Sequence, residues 1–236
     1  MRGVERRAGR VSGVVTGRGA LSLRTCANYD VGYDDVFVRD AWVVDRRPIP
    51  GPAERSAAKP PGGKGAPGLG PWSLTIAAVY LGVGAAACQA AAAYANARVP
   101  SALGKPIAEA PHIQQWIGQM EIVVDAARAQ LFETARLWRE HPELRGELAP
   151  QIAAAKYLCT NAACTASEIG LRVGGGFSLT ADVALERHFR DARAGLFQPP
   201  QDDLTLALLG RNALVAARAH QARTSPGEAA AGERAA

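Results

Sequence analysis

Residues 65–97 contain no charged side chain, and this run limits the chain more than any other feature. A stretch of that length can cross a bilayer or form a helix covered on most of its sides. Its composition favours the second. Ala and Gly dominate it, Leu, Ile and Phe are few, and Tyr80, Gln89, Tyr94 and Asn96 interrupt it. It reads as a close-packed helix over 72–97, with no membrane span.

Apolar stripes follow. From Pro111, a residue suited to a first helical turn, Ile113, Trp116, Ile117, Met120, Val123, Val124, Ala127, Leu131, Ala135 and Trp138 recur in steps of three and four, ending near His141 and Pro142. A third helix is predicted over 147–173, with Ile152, Ala155, Leu158, Cys159, Ala162, Ala166 and Ile169 on one side and "VGGGF" at its end. A fourth covers 181–194, where Glu186 with Arg190 and Arg187 with Asp191 are spaced to pair on one face. A fifth, 202–219, opens on Asp202 and Asp203, which suit a helix start. Aromatic residues are only 6% of the chain, which favours packed helices over sheets. The expected fold is mainly α: an antiparallel four-helix-type bundle over 72–223 with a short N-terminal β remnant over 1–46. The remnant is read from Val31, Tyr33, Val36–Val38 and Trp42–Val44. A Pro/Gly-rich linker over 47–71 and a disordered tail over 224–236 complete the expected domain organisation.

The net charge of +5 owes much to Arg2, Arg6, Arg7 and Arg10. No aromatic residue stands among them and no nucleic-acid motif accompanies them, so a solvated end is expected and no nucleic-acid partner. Cys26, Cys88, Cys159 and Cys164 form no C-x-x-C, which argues against a metal site or a disulfide framework and for a cytoplasmic setting. The first residues lack the apolar segment of a secretory signal. His112, His141, His188 and His220 are scattered and receive no role.

Longer stretches carry a resemblance. "AAKYLCTNAACTASEIGLRVGGGFSL" and "ALERHFRDARAG" are similar to the C-terminal helical domain of the acyl-CoA dehydrogenase family. The matching residues are Lys156, Gly174, Gly175, Glu186, Arg187, Arg190, Asp191 and Ala192. "LGVGAAACQAAAAYANARVPSALGKPIAEAPHIQQWIGQME" resembles that family's long helix, terminal Arg, G-K/R-P-I turn and Gln-bearing helix start. "LRTCANYDVGYDDVFV" is similar to the end of its middle β domain. The resemblance implies a flavoprotein oxidoreductase: FAD as cofactor, an acyl-CoA thioester as substrate, and a homo- or hetero-oligomer with a family relative. It also implies that Arg98, Gly174 and Gly175 bind the cofactor near its pyrophosphate or adenosine. Arginine suits a bidentate phosphate contact, and glycine lets a backbone approach an anion.

Departures from the pattern matter. Leu103 stands for the family's aromatic residue, and Pro111 for its glutamine, with Gln114 and Gln115 just beyond. Where the largest branches keep a Glu and a Gly after the R-D-A stretch, this chain has Pro199 and Pro200, so no catalytic base is assigned. The nearest carboxylates, Asp202 and Asp203, are expected to cap the last helix. Four outcomes remain open: a truncated acyl-CoA dehydrogenase-like enzyme, a non-catalytic subunit completing a partner's FAD site, a flavin-dependent monooxygenase of the same fold, or a fragment.

Overall fold

A computed structural model describes residues 10–14, 20–24, 30–43 and 69–224. Cys26, the tail beyond 224 and the linker up to residue 68 lie outside the described residues. The chain divides into two compact units, Met1–Ala66 and Pro67–Ala236.

In the first unit, β1 (Arg10–Val14) pairs antiparallel with β2 (Asp30–Asp34), with Val11 opposite Tyr33 and Gly13 opposite Val31. The expected run of strand through Val36–Val38 and Trp42 does not form. Asp35 takes a φ of 48°, a left-handed conformation that turns the backbone out of the extended region. The chain then enters a single 3-10 turn, Asp40–Trp42, with Arg39 stacked 5.3 Å from the ring centre of Trp42.

Among the described residues the second unit holds five α-helices: α1 (Leu69–Ala97), α2 (Pro111–Glu140), α3 (Ala149–Gly174), α4 (Leu185–Arg193) and α5 (Asp202–Thr224). It contains no strand among the described residues. The expected four-helix-type bundle with a β remnant is therefore corrected. The described strands form one two-stranded ribbon, too small to stand as a sheet domain. The core comes from three helices, α1, α2 and α3. α4 spans nine residues, of which only Leu185 and Ala192 are buried, so it is too short and too charged to act as a core helix. α5 touches the others only near its start and leaves its later residues exposed.

Small residues set the spacing of the core. Ala77, Ala87, Ala91 and Ala95 of α1 and Ala155, Ala163 and Ala166 of α3 are all at most 2% exposed. A Cβ on Gly84 would lie 3.2 Å from the Ala163 Cα and 3.3 Å from the Val124 Cγ2, so three helices converge on that glycine. A Cβ on Gly170 would lie 4.0 Å from the Ala91 Cβ and 3.7 Å from the Met120 Cε. Gly84 against Ala163 and Ala91 against Gly170 ascend together, so α1 and α3 run parallel. Along α2 the order reverses, with Val124 beside Gly84 and Met120 beside Gly170, so α2 is antiparallel to both. Met120, Val124 and Leu131 fill the space between them. α1 is long and apolar enough, by length and composition, to cross a bilayer. In this structure it lies against α2 and α3, burying Leu74, Leu81 and Cys88.

The thiols of Cys88, Cys159 and Cys164 are free and buried. Cys159 reaches toward the Ala127 carbonyl at 3.6 Å and Cys164 toward that of Ala192 at 3.5 Å. Burial pushes the Cys88 thiol up to about 11 and the Cys159 thiol up to about 12. Folding thus favours the protonated thiols. Their contribution is full below the ordinary thiol range and is lost as pH rises from about 9. Stability in urea should fall across that alkaline window, and less steeply in Cys159→Ala than in the wild type.

Gly84→Val should destabilise the fold by about 1–3 kcal/mol, as overpacking does. Gly82→Ala, where a Cβ meets nothing within 4 Å, should stabilise it by up to about 1 kcal/mol. Urea denaturation of both variants checks the pair; equal effects would contradict the packing assignment.

Candidate functional site

Because α1 and α3 are parallel, their C-terminal ends share one end of the bundle. α1 ends at Ala97 and Arg98 follows, its N–H bonded to the Tyr94 carbonyl at 2.9 Å. The loop beyond turns tightly at Gly104, whose φ is 65°, and returns so that the Ile107 N–H donates to the Arg98 carbonyl at 3.0 Å. That closure fixes the backbone from which the Arg98 side chain leaves.

α3 ends at Gly174 and continues into a 3-10 turn, Gly175–Leu179. The two predicted glycines are there for different reasons. A Cβ on Gly174 would lie 2.7 Å from the Ser178 Cβ and 2.9 Å from the Leu185 Cδ1, so packing excludes any side chain. Gly175 has φ 56° and ψ −144°, and its N–H is engaged by the carbonyls of Leu171 and Arg172. A Cβ on Gly175 or Gly176 would meet nothing within 4 Å, so the outer side of the turn is open. Ser178 is buried, with its hydroxyl 2.6 Å from the Gly175 carbonyl and 2.9 Å from that of Leu171.

Arg98 and this turn meet. The guanidinium carbon of Arg98 lies 4.7 Å from the ring centre of Phe177, which is itself 56% exposed. Among the described residues, no acidic side chain pairs with Arg98. The result is a half-buried cation held over an aromatic ring beside an open glycine turn. Phe177 was given no role by sequence reasoning, although it closes the "VGGGF" stretch. Next to this corner runs a groove of about 230 Å³ between α1 and α2, with the Asn96 and Gln114 carboxamides among its lining. Gln114 donates to the Ala108 carbonyl at 3.0 Å. Leu103 is 46% exposed.

The proline stretch sits elsewhere. Lys156, in the first half of α3, is completely buried, and its Nζ lies 3.2 Å from Oδ1 of Asp202. Asn161 donates to the other oxygen of Asp202 at 2.8 Å. Asp202, expected as a helix cap, instead anchors the start of α5 to α3. Gly195 lets the intervening chain lie flush: a Cβ there would lie 2.9 Å from both Thr160 Cγ2 and Tyr80 Cδ1. The distance along α3 from Lys156 to Gly174 is roughly 27 Å at the ordinary helical rise. The glycine corner and the proline stretch are thus not brought together within this chain. In α4, Glu186 and Arg190 form a bidentate pair at 2.5 and 3.0 Å, which raises the Arg190 pKa above its ordinary value.

Comparison with known proteins accounts for this layout. Residues 69–214 match the acyl-CoA dehydrogenase C-terminal domain. The chain belongs to the acyl-CoA dehydrogenase family. It is 34% identical over 193 residues to YdbM of Bacillus subtilis, a protein named as an acyl-CoA dehydrogenase, covering 82% of this chain and 47% of that one. It is 30% identical over 141 residues to YdiO of Escherichia coli, named likewise, covering 60% and 35%. Its fold matches butyryl-CoA dehydrogenase from Megasphaera elsdenii with a TM-score of 0.67 at 20% identity, over 89% of this chain and 50% of that one. The chain therefore spans about half the length, or less, of these relatives.

Among the described residues, Asp202 is the one carboxylate that balances the Lys156 ammonium. Asp202→Ala should destabilise the protein by about 3 kcal/mol, because it strands a buried charge. Lys156→Met combined with Asp202→Leu should recover most of that loss. Urea unfolding of the three proteins measures both, and a harmless Asp202→Ala would contradict the pairing.

Proposed function

We propose that this chain forms part of an acyl-CoA dehydrogenase-type flavoprotein, with FAD as cofactor and an acyl-CoA thioester as substrate. The observation that carries the reading is the Arg98 guanidinium, without an acidic partner among the described residues, held over Phe177 beside the open Gly175–Gly176 turn. This corner fits the anionic end of a dinucleotide: one fixed cation, donors in a planar fork, and backbone that no side chain shields. The Gly175 N–H is already bonded within the chain, so Arg98 is the principal anion contact, Gly175 supplies clearance, and Gly174 acts by permitting the turn.

Bound FAD would accept the hydride that leaves the substrate's β-carbon. The chain's own part is to hold and orient the cofactor's phosphates. Loss of the α-proton needs a carboxylate, and of residues 199–203 only Asp203, exposed in the first turn of α5, carries one outside an ion pair of the described residues. Pro199 and Pro200 have no acidic group, and both oxygens of Asp202 are engaged by Lys156 and Asn161. This favours a second reading, in which the chain is a non-catalytic subunit that completes the FAD site of a family relative through Arg98. A cytoplasmic location and an oligomeric assembly accompany either reading.

Titration of the purified chain with FAD, followed by flavin fluorescence, tests the proposal. The wild type should bind saturably. Arg98→Met should weaken binding about tenfold to a hundredfold, the range for hydrogen bonds to a charged group. Gly82→Ala should leave it unchanged. Anaerobic bleaching by an acyl-CoA separates the two readings, since only the first requires it of the chain itself. Equal FAD binding by wild type and Arg98→Met would overturn the assignment of this corner.

A further inference from the structure

An arginine can be held in place by a carboxylate or by an aromatic ring, and the two leave different things free. Arg136, Arg172 and Arg190 are held by carboxylates of their own helices, which take up both charge and N–H donors. Arg145 lies 5.2 Å from the ring centre of Trp138 but also donates its Nε–H to the Trp138 carbonyl at 2.9 Å. Arg98 is closer to its ring, 4.7 Å from the centre of Phe177, and among the described residues its guanidinium donates to no protein oxygen. Ring and cation come from different elements, and both backbones are pinned. The Arg98 N–H donates to the Tyr94 carbonyl, and the Arg98 carbonyl accepts the Ile107 N–H. The Phe177 carbonyl accepts from the Thr180 N–H at 3.2 Å and from the Thr180 hydroxyl at 2.9 Å. The neighbouring Ser178 is buried, with two carbonyls in reach of its hydroxyl. Phe177 itself is more than half exposed and belongs to no core cluster, so it is not placed there to fill the interior.

We propose that Phe177 is the positioning residue of the anion site: it orients the Arg98 guanidinium without neutralising it. The role rests on the reading of this corner as an anion site and adds the residue that prepares its cation. An aromatic face attracts a guanidinium through its quadrupole and leaves the positive charge in place for an incoming diphosphate. A carboxylate in the same place would hold Arg98 as well, but it accepts the same fork of donors that a phosphate needs, so the ligand would have to displace it. With neither, the long side chain would be ordered only on binding, at a cost in affinity. The ring therefore sets the direction of the cation in advance and keeps its donors available. Phe177 acts through Arg98 and needs no contact with the ligand of its own.

Calorimetric titration of the full chain with inorganic pyrophosphate tests it. The wild type should bind, Phe177→Tyr should match it, and Phe177→Leu should bind about threefold to tenfold more weakly, the range set by one cation–π contact. In an Arg98→Met background, Phe177→Leu should change nothing further, because the ring acts through the guanidinium. Nitrogen-15 relaxation of the arginine Nε–H groups gives a readout that a packing role would not move, and it needs no ligand. The Arg98 signal, identified by its loss in Arg98→Met, should be ordered in the wild type. In Phe177→Leu it should become as mobile as that of the exposed Arg211, while Arg190, paired with Glu186, stays ordered in both. Pyrophosphate binding without FAD binding would refute the flavin reading and still support the role of Phe177. A wild-type Arg98 as mobile as Arg211, no pyrophosphate binding by the wild type, equal binding by wild type and Phe177→Leu, or a further loss in the Arg98→Met background would each overturn the proposal.

Discussion

The parallel contact between α1 and α3 is the constraint from which the rest of the helical unit follows. Alanine and glycine on the facing sides let the two backbones approach until a glycine Cβ at position 84 would touch the Ala163 backbone. Contacts then recur one heptad at a time along both helices: Gly84 with Ala163, Ala91 with Gly170, and finally Arg98 with Phe177. The last step lies just past both helix ends. The same register that packs the core therefore sets a cation over an aromatic ring beside a glycine turn. A register slip of one turn would keep much of the alanine packing and lose that corner.

A second, polar constraint acts toward the other end of α3. Lys156 is buried completely, and its ammonium needs a counter-charge there. Asp202 supplies it and is steadied by Asn161, so the start of α5 is fixed to α3 while the described side chains from Gly210 onward are left exposed. The same pairing explains why Asp202 is a poor stand-in for the carboxylate that Pro199 and Pro200 cannot provide. One ion pair thus fixes where α5 starts and removes a candidate base.

Much of this was legible in the sequence, and what was not has physical reasons. The stripe from Ile113 to Trp138 predicted α2, because a one-sided apolar pattern at helical spacing has one economical use. The boundary at Pro111 was read from proline's fixed φ. The family resemblance pointed to Arg98, Gly174 and Gly175, and the structure brings these residues to one corner, with Phe177 as the unforeseen contact. The Lys156–Asp202 pair was hidden because its members are far apart in the chain, and an Asp at a helix start already has an ordinary role as a cap. The bundle was over-counted because α4 and α5 look helical locally, while coverage depends on neighbours that periodicity does not report. The β segment was over-extended because Val36–Val38 has strand composition, and the left-handed turn at Asp35 leaves no mark in a count of β-branched residues.

The register of α1 on α3 can be measured directly by disulfide trapping. A Cβ on Gly170 would lie 4.0 Å from that of Ala91, within the ordinary span for a disulfide. After oxidative refolding, peptide mapping by mass spectrometry should find Ala91→Cys linked to Gly170→Cys in high yield. It should find little linkage between Ala91→Cys and Val173→Cys, which sits about one turn further along α3. Preferential linkage at position 173 would contradict the register, and with it the meeting of Arg98 and Phe177 on which the proposed cofactor corner rests.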